Sequence, residues 1–269
     1  MRITTMHTVR SSLVLKGHGF LTGVLCTLLT LCVACGPSPN TGGDSTSSSQ
    51  PSVADRLPPR LQTSYRWFET DVLDLASSEG TFVRAYTESF ELSFEGQSPQ
   101  WGYPGFVEAS PSDIDEKVTF VPSESSHNDV VSTLFFRPLR RVDDGPNVRI
   151  VLCRSEIFSI APSARGGSQE WRNVHAQWGF PVTIDLTKSG DVLPPADQAG
   201  PAPAPYRSVF GSWKVTDFDR LGVRPENSAD IVACDALPDN PDIPRIDMYS
   251  GPDPVPTLPS YPGWPANGV

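Results

Sequence analysis

Between positions 78 and 94 the chain places Phe82, Tyr86, Phe90 and Phe94 four residues apart, with Val83 beside them. That recurrence matches the helical period and predicts a helix whose aromatic stripe faces the core, starting after the Ser77-Ser78 break. Arg84, Glu88, Glu91 and Glu95 fall mostly elsewhere on the wheel and are expected on its wet side, and Gly96 is placed to end the helix. Upstream, Trp67, Phe68, Val72 and Leu73 suggest one or two further helical turns within 61–75. Downstream the pattern becomes strand-like, in runs rich in β-branched residues at 117–121, 130–142, 148–160, 172–186, 206–218 and 229–234. Asp143-Asp144-Gly145-Pro146-Asn147 reads as a hairpin turn between two of them. Helices followed by a run of strands predict an α+β domain, with the N-terminal helix or helices packed on a curved antiparallel sheet.

The first 34 residues have a different pattern. Arg2, Arg10 and Lys16 precede an apolar run from Phe20 to Val33, and no acid interrupts it. This is the layout of an export signal, and the run is short for a bilayer-spanning helix. Leu31-Cys32-Val33-Ala34-Cys35-Gly36 follows at its end, and residues 36–58 are then almost wholly Gly, Ser, Thr, Pro and other polar types, a flexible tether. The segment resembles a bacterial lipobox, with Cys32 where that motif usually carries Leu. The resemblance implies a lipoprotein signal peptide over 1–34, cleavage before Cys35, and diacylglyceryl and palmitate modification of Cys35.

Charge then enters the picture. The chain carries 21 Lys and Arg against 31 Asp and Glu, and losing Arg2, Arg10 and Lys16 with the signal leaves 18 against 31. So acidic a body has no basic footprint for phosphates, which argues against a nucleic-acid partner. It would also be repelled by anionic headgroups, so the lipid rather than electrostatics would hold it to a membrane. Of five cysteines, Cys26 and Cys32 leave with the signal and Cys35 takes the lipid. Cys153 and Cys234 remain, and in an exported chain they are expected to form a disulfide joining two buried strands. Of the two remaining histidines, His127 and His175, neither sits in a metal-binding spacing, so no metal or cofactor is expected.

The helix of 78–94, the Tyr103-Pro104-Gly105-Phe106 corner, the long later strands and the closing Gly211-Ser212-Trp213-Lys214-Val215-Thr216-Asp217 resemble the cone-shaped NTF2-like fold. More narrowly, the chain resembles uncharacterised actinobacterial cell-envelope lipoproteins that join a signal, a tether and such a domain. A cystatin-like sheet or a small β-sandwich would accommodate nearly the same elements. The domain is expected over 59–235, with a Pro-rich C-terminal tail over 236–269.

The NTF2-like resemblance implies either a hollow isomerase or cyclase, or a filled scaffold. Tyr86, His175 and Asp185 are the polar candidates a catalytic reading would use, but no spacing singles them out. Gly166-Gly167-Ser168 is not a nucleophile elbow, and Asp113-Ile114-Asp115-Glu116 lacks the glycine and distal Glu of a calcium loop. Arg137, Arg140 and Arg141, with Arg149 nearby, are candidates for an anion contact, or for pairing with Asp143 and Asp144. The loop 191–205 and the tail are proline-dense, and proline favours extended geometry that docks to partners at low entropic cost. In the tail Tyr261 and Trp264 are the natural partner anchors, and truncation after Cys234 is expected to leave stability nearly unchanged. The reading as a whole is an anchored extracytoplasmic lipoprotein with a non-catalytic binding or scaffolding domain, set against an isomerase-like or cyclase-like enzyme or a carrier of apolar ligands.

Overall fold

The computed structural model describes residues 61–119, 128–162, 170–222, 224, 227–245 and 248–266. The expected signal peptide and tether, Cys35, His127 and Gly166-Gly167-Ser168 lie outside them. Strand β1 (Leu61–Trp67) opens the described chain, followed by helix α1 (Ser78–Gly96), a 3-10 turn at Pro99–Trp101, and short helices α2 (Phe106–Ala109) and α3 (Ile114–Val118). Three long strands come next, β2 (Asn128–Asp144), β3 (Asn147–Pro162) and β4 (Trp171–Thr187). Then follow β5 (Lys214–Asp219), helix α4 (Ser228–Asp235) and β6 (Met248–Gly251). The class is α+β. The six strands form one open mixed sheet in the order β1-β2-β3-β4-β5, with β6 also on β4. β1 runs parallel to β2, and all other pairings are antiparallel.

Side-chain alternation gives the sheet two apolar faces. Trp67, Phe136, Ile150, Leu152, Val182 and Ile184 point to the helix face and pack with Phe82, Tyr86 and Phe90 of α1. Phe135, Cys153, Ile157 and Trp178 point the other way and pack with Cys234 and Ile243. Ser77 caps α1 by accepting from the Gly80 N–H at 3.0 Å. The helix ends at Gly96 as expected, but the left-handed residue is Gln97. Gly96 is needed for another reason: a Cβ there would fall 2.2 Å from the Trp101 ring.

Several expectations are corrected. Residues 61–67 form a strand, because Leu61, Thr63, Tyr65 and Trp67 alternate toward the helix face while the backbone pairs with β2. Lys117 and Val118 belong to α3, and within 206–218 only Lys214 onward is strand. Residues 229–234 are helical despite Ile231 and Val232: Asp230 and Cys234, four apart, both reach the sheet, while Val232 is 69% exposed. The disulfide Cys153–Cys234 is present and closes a separation of 81 residues. It therefore fastens a helix, not a strand, to β3.

The tail is the largest correction. It runs across the disulfide face as a strap, and body side chains bind its backbone. Trp178 Nε1 donates to the Pro238 carbonyl at 3.0 Å and the Asn240 N–H donates to Gln177 Oε1 at 2.7 Å. The Val255 N–H donates to Ser159 Oγ at 3.0 Å, the Leu258 N–H to Thr133 Oγ1 at 2.9 Å, and Arg66 Nη1 to the Pro259 carbonyl at 2.7 Å. The strap thus crosses from β4 to β1. At that edge the backbone of Tyr261 bonds to Tyr65 and Trp67, after which Trp264 enters the core of the opposite face. The domain therefore does not end at 235.

Candidate functional site

Helix α1 is buried on all sides from Glu79 to Ser93, so Arg84, Glu88 and Glu91, expected on its wet side, lie inside. Two of them, three residues apart, have different surroundings. Glu88 is 1% exposed and is held by neutral donors. Its Oε1 accepts from Trp67 Nε1 at 2.9 Å, and its Oε2 accepts from the Tyr103 hydroxyl at 2.7 Å and from Trp264 Nε1 at 2.8 Å. Beside it the Arg84 guanidinium stacks 4.4 Å over the Trp264 ring and donates to the carbonyls of Gln198, Pro262 and Gly263. Burial pushes the Glu88 carboxyl up, against Arg84 and the three donors, which favour the charged form. Burial also lowers Arg84 and raises Tyr103. Every hydrogen-bond partner of Glu88 belongs to the fold, so this cluster locks the strap and the 191–205 loop onto α1.

One turn further on, Glu91 is fully buried but faces charge. Its Oε2 accepts from Arg220 Nε at 2.9 Å, and its Oε1 lies 3.6 Å from Arg154 Nε. Arg220 also reaches Glu95 at 3.4 Å, and Arg154 donates to Glu156 at 2.7 Å. Burial raises Glu95, with Arg220 opposing it. Burial by itself would lower Arg154, yet Glu156 and Glu91 outweigh it and hold the guanidinium above its ordinary value. Such a network is costly to bury and strongly disfavours losing one member.

Unlike the Glu88 cluster, this network opens outward. The Arg220 guanidinium lies 4.1 Å over the Phe94 ring, at the wall of a groove of about 350 Å3. Phe90, Phe94 and Phe218 line the groove, and Asp113, Glu116, Lys117, Asp219 and Arg224 stand around it. Its frame is set by Asp217 on β5, which accepts from Lys117 of α3 at 2.8 Å and from Arg224 at 2.7 Å. Burial alone would push the Asp217 carboxyl up, but the hydrogen bonds from Arg224 and Lys117 outweigh it and hold it at about 2. A second cavity, of about 490 Å3, lies at the Tyr103-Phe106 corner against Tyr206, and Glu108 is its one charged lining residue.

The residues singled out from sequence are not brought together. Tyr86 lies between Phe106 and Phe218 on the helix face, while His175 stands on the other face, its ring edge-on to Tyr249. Asp185 is bound by Arg149 at 2.6 Å. The proposed anion contact has no free head at two of its three positions: Asp230 holds Arg140 bidentately at 2.6 and 2.7 Å, and Arg141 pairs with Asp143 and Glu79. Arg137 is half-buried across from Cys153. Trp264 is 1% exposed and so is not an anchor for another molecule, whereas Tyr261 is 48% exposed and donates to Glu69 at 3.0 Å. Residues 191–205 are part of the lock, since Ala202 exchanges backbone hydrogen bonds with Trp264 at 2.8 Å. Phe90 and Phe94 were visible as a stripe. Arg220, Asp217 and Lys117 carried no signal, because strand β5 and helix α3 meet only in the fold.

Among the described residues no group of His, Cys, Asp and Glu is arranged to hold a metal, and no helix is long and apolar enough to cross a membrane. Comparison with protein-family models, curated proteins and solved structures finds no match to this chain.

Proposed function

We propose that the chain is an exported lipoprotein, anchored through Cys35 at the outer face of the cytoplasmic membrane of a bacterial cell envelope, whose domain acts by binding rather than by catalysis. The observation that carries the binding reading is how the space between α1 and the sheet is used. Phe82, Tyr86 and Phe90 fill it against Phe106, Phe210, Trp213 and Phe218, so binding falls to the surface, where the open groove beyond Phe90 offers both aromatic and charged lining. An isomerase or cyclase needs a base and a donor converging on an apolar chamber, and Tyr86, His175 and Asp185 do not converge. We read the fold as a filled NTF2-like domain, a reading supported by one long helix against long hairpin-joined strands. The aromatic floor of the groove favours a second reading as a carrier of ligands with apolar parts.

The anchor rests on the apolar run, Cys35 and the polar tether that follows it. Mass spectrometry of the mature N-terminus from membranes tests it. The expected species begins at acylated Cys35, and an unmodified Cys35 thiol would overturn the anchoring.

A further inference from the structure

The groove at the carboxyl end of α1 has a composition that selects its ligand. Phe90, Phe94 and Phe218 line it, Phe90 and Phe218 nearly buried; aromatic faces carry negative partial charge, and that of Phe94 already holds the Arg220 guanidinium at 4.1 Å. The helix terminus beside it is the negative pole of a 19-residue dipole, and no basic residue occupies the last turn to offset that pole.

The rim charges are unequally committed. Arg220 is held by Glu91 and Glu95, Lys117 by Asp217, and Arg224 by Asp217 and Asp219. An anion entering the groove would have to share a cation that already carries one or two carboxylates. Asp219 is also committed, capping the N–H groups of Leu221 and Gly222 and accepting from Asn227. Asp113 has only a 3.8 Å contact to Lys117 and is half exposed, and Glu116 has no partner among the described residues. The uncommitted charge at the rim is therefore negative, in a chain that is itself acidic.

We propose that this groove binds a small organic cation with an apolar body, its ring or alkyl part on Phe90, Phe94 and Phe218 and its ammonium group beside Asp113 and Glu116. The proposal rests on the binding reading above and specifies its ligand class. A volume of about 350 Å3 sits at the small end of ligand pockets and suits a single ring with a short amine arm.

Calorimetric titration of the full chain in a nonionic detergent tests this with three probes that share one ring: phenethylammonium, 2-phenylethanol and phenylacetate. Phenethylammonium is expected to saturate one site, 2-phenylethanol to bind more weakly, and phenylacetate not to bind. The double variant D113N/E116Q, exposed before and within α3 and expected to fold normally, should weaken phenethylammonium three- to tenfold and leave 2-phenylethanol unchanged. Equal binding of phenylacetate, or unchanged affinity in the double variant, would overturn the cation assignment while leaving a binding groove in place. No saturable binding of any probe would overturn the assignment too, and the state of Cys35 is read independently by the N-terminal mass.

Discussion

Glu88 and Glu91 stand one helical turn apart on α1, both buried, and they differ in what surrounds them. Glu88 is enclosed by three neutral donors from β1, the Tyr103 corner and the strap, and is itself shut off from solvent. Glu91 is held by arginines from β3 and the end of β5, and one of these, Arg220, is also the wall of an open groove. The contrast separates two uses of a buried charge. The first closes the chain on itself, and the second sets the shape and charge of a surface that can meet a ligand.

The contrast breaks most severely if the strap is removed. Truncation after Asp235 takes away Trp264 and uncovers both the Glu88 cluster and the disulfide face, so cooperative thermal unfolding by circular dichroism should be lost. Trp264→Ala alone should cost about 3–5 kcal/mol in urea unfolding, whereas Tyr261→Ala, at an exposed ring, should stay within about 0.5 kcal/mol. Replacing Cys153 and Cys234 by Ser should cost about 2–4 kcal/mol in the same assay.

The glutamates themselves sharpen the comparison. Glu91→Gln leaves the buried Arg154 and half-buried Arg220 guanidinium groups short of one negative charge and should cost about 3 kcal/mol, near the lower end for breaking a buried pair because Glu95 and Glu156 remain. Glu88→Gln replaces one accepting oxygen by an amide donor, leaving at least one of the three donors unmatched, and should cost about 1–3 kcal/mol. Only the Glu91 variant should also change affinity for a groove probe. The effect of the Asp217 clip is confined to acid. Its carboxyl is held at about 2 against an ordinary 3.8, so its stabilisation is present above about pH 4 and fades as pH falls toward 2. Asp217→Asn should flatten that part of the acid limb of a thermal-unfolding profile.

These differences were only partly legible in the sequence. The period of Phe82, Tyr86, Phe90 and Phe94 located α1, and β-branched runs located β2, β3 and β4, because hydrophobic spacing follows directly from burying one face. The same rule misplaced Arg84, Glu88 and Glu91, since a wheel cannot show that α2, α3, a loop and the strap cover the helix's other sides. Proline density suggested a free tail. It is bound because Gln177, Ser159, Thr133 and Arg66 supply hydrogen bonds to an extended backbone, partners far away in sequence. The disulfide was readable from cysteine number and the expectation of export, but the helix it fastens was not, because Ile231 and Val232 favour strand locally and tertiary packing overrides that preference.

The most direct test follows backbone and indole N–H signals by heteronuclear NMR while phenethylammonium is added to the full chain. The account predicts saturable shifts confined to Phe90–Gly96, to α3 and to Phe218–Leu221, with the Trp67 and Trp264 indole signals unmoved. Shifts at those two indoles, or shifts centred on β4 and β6, would contradict the division between a sealed end and a binding end of α1.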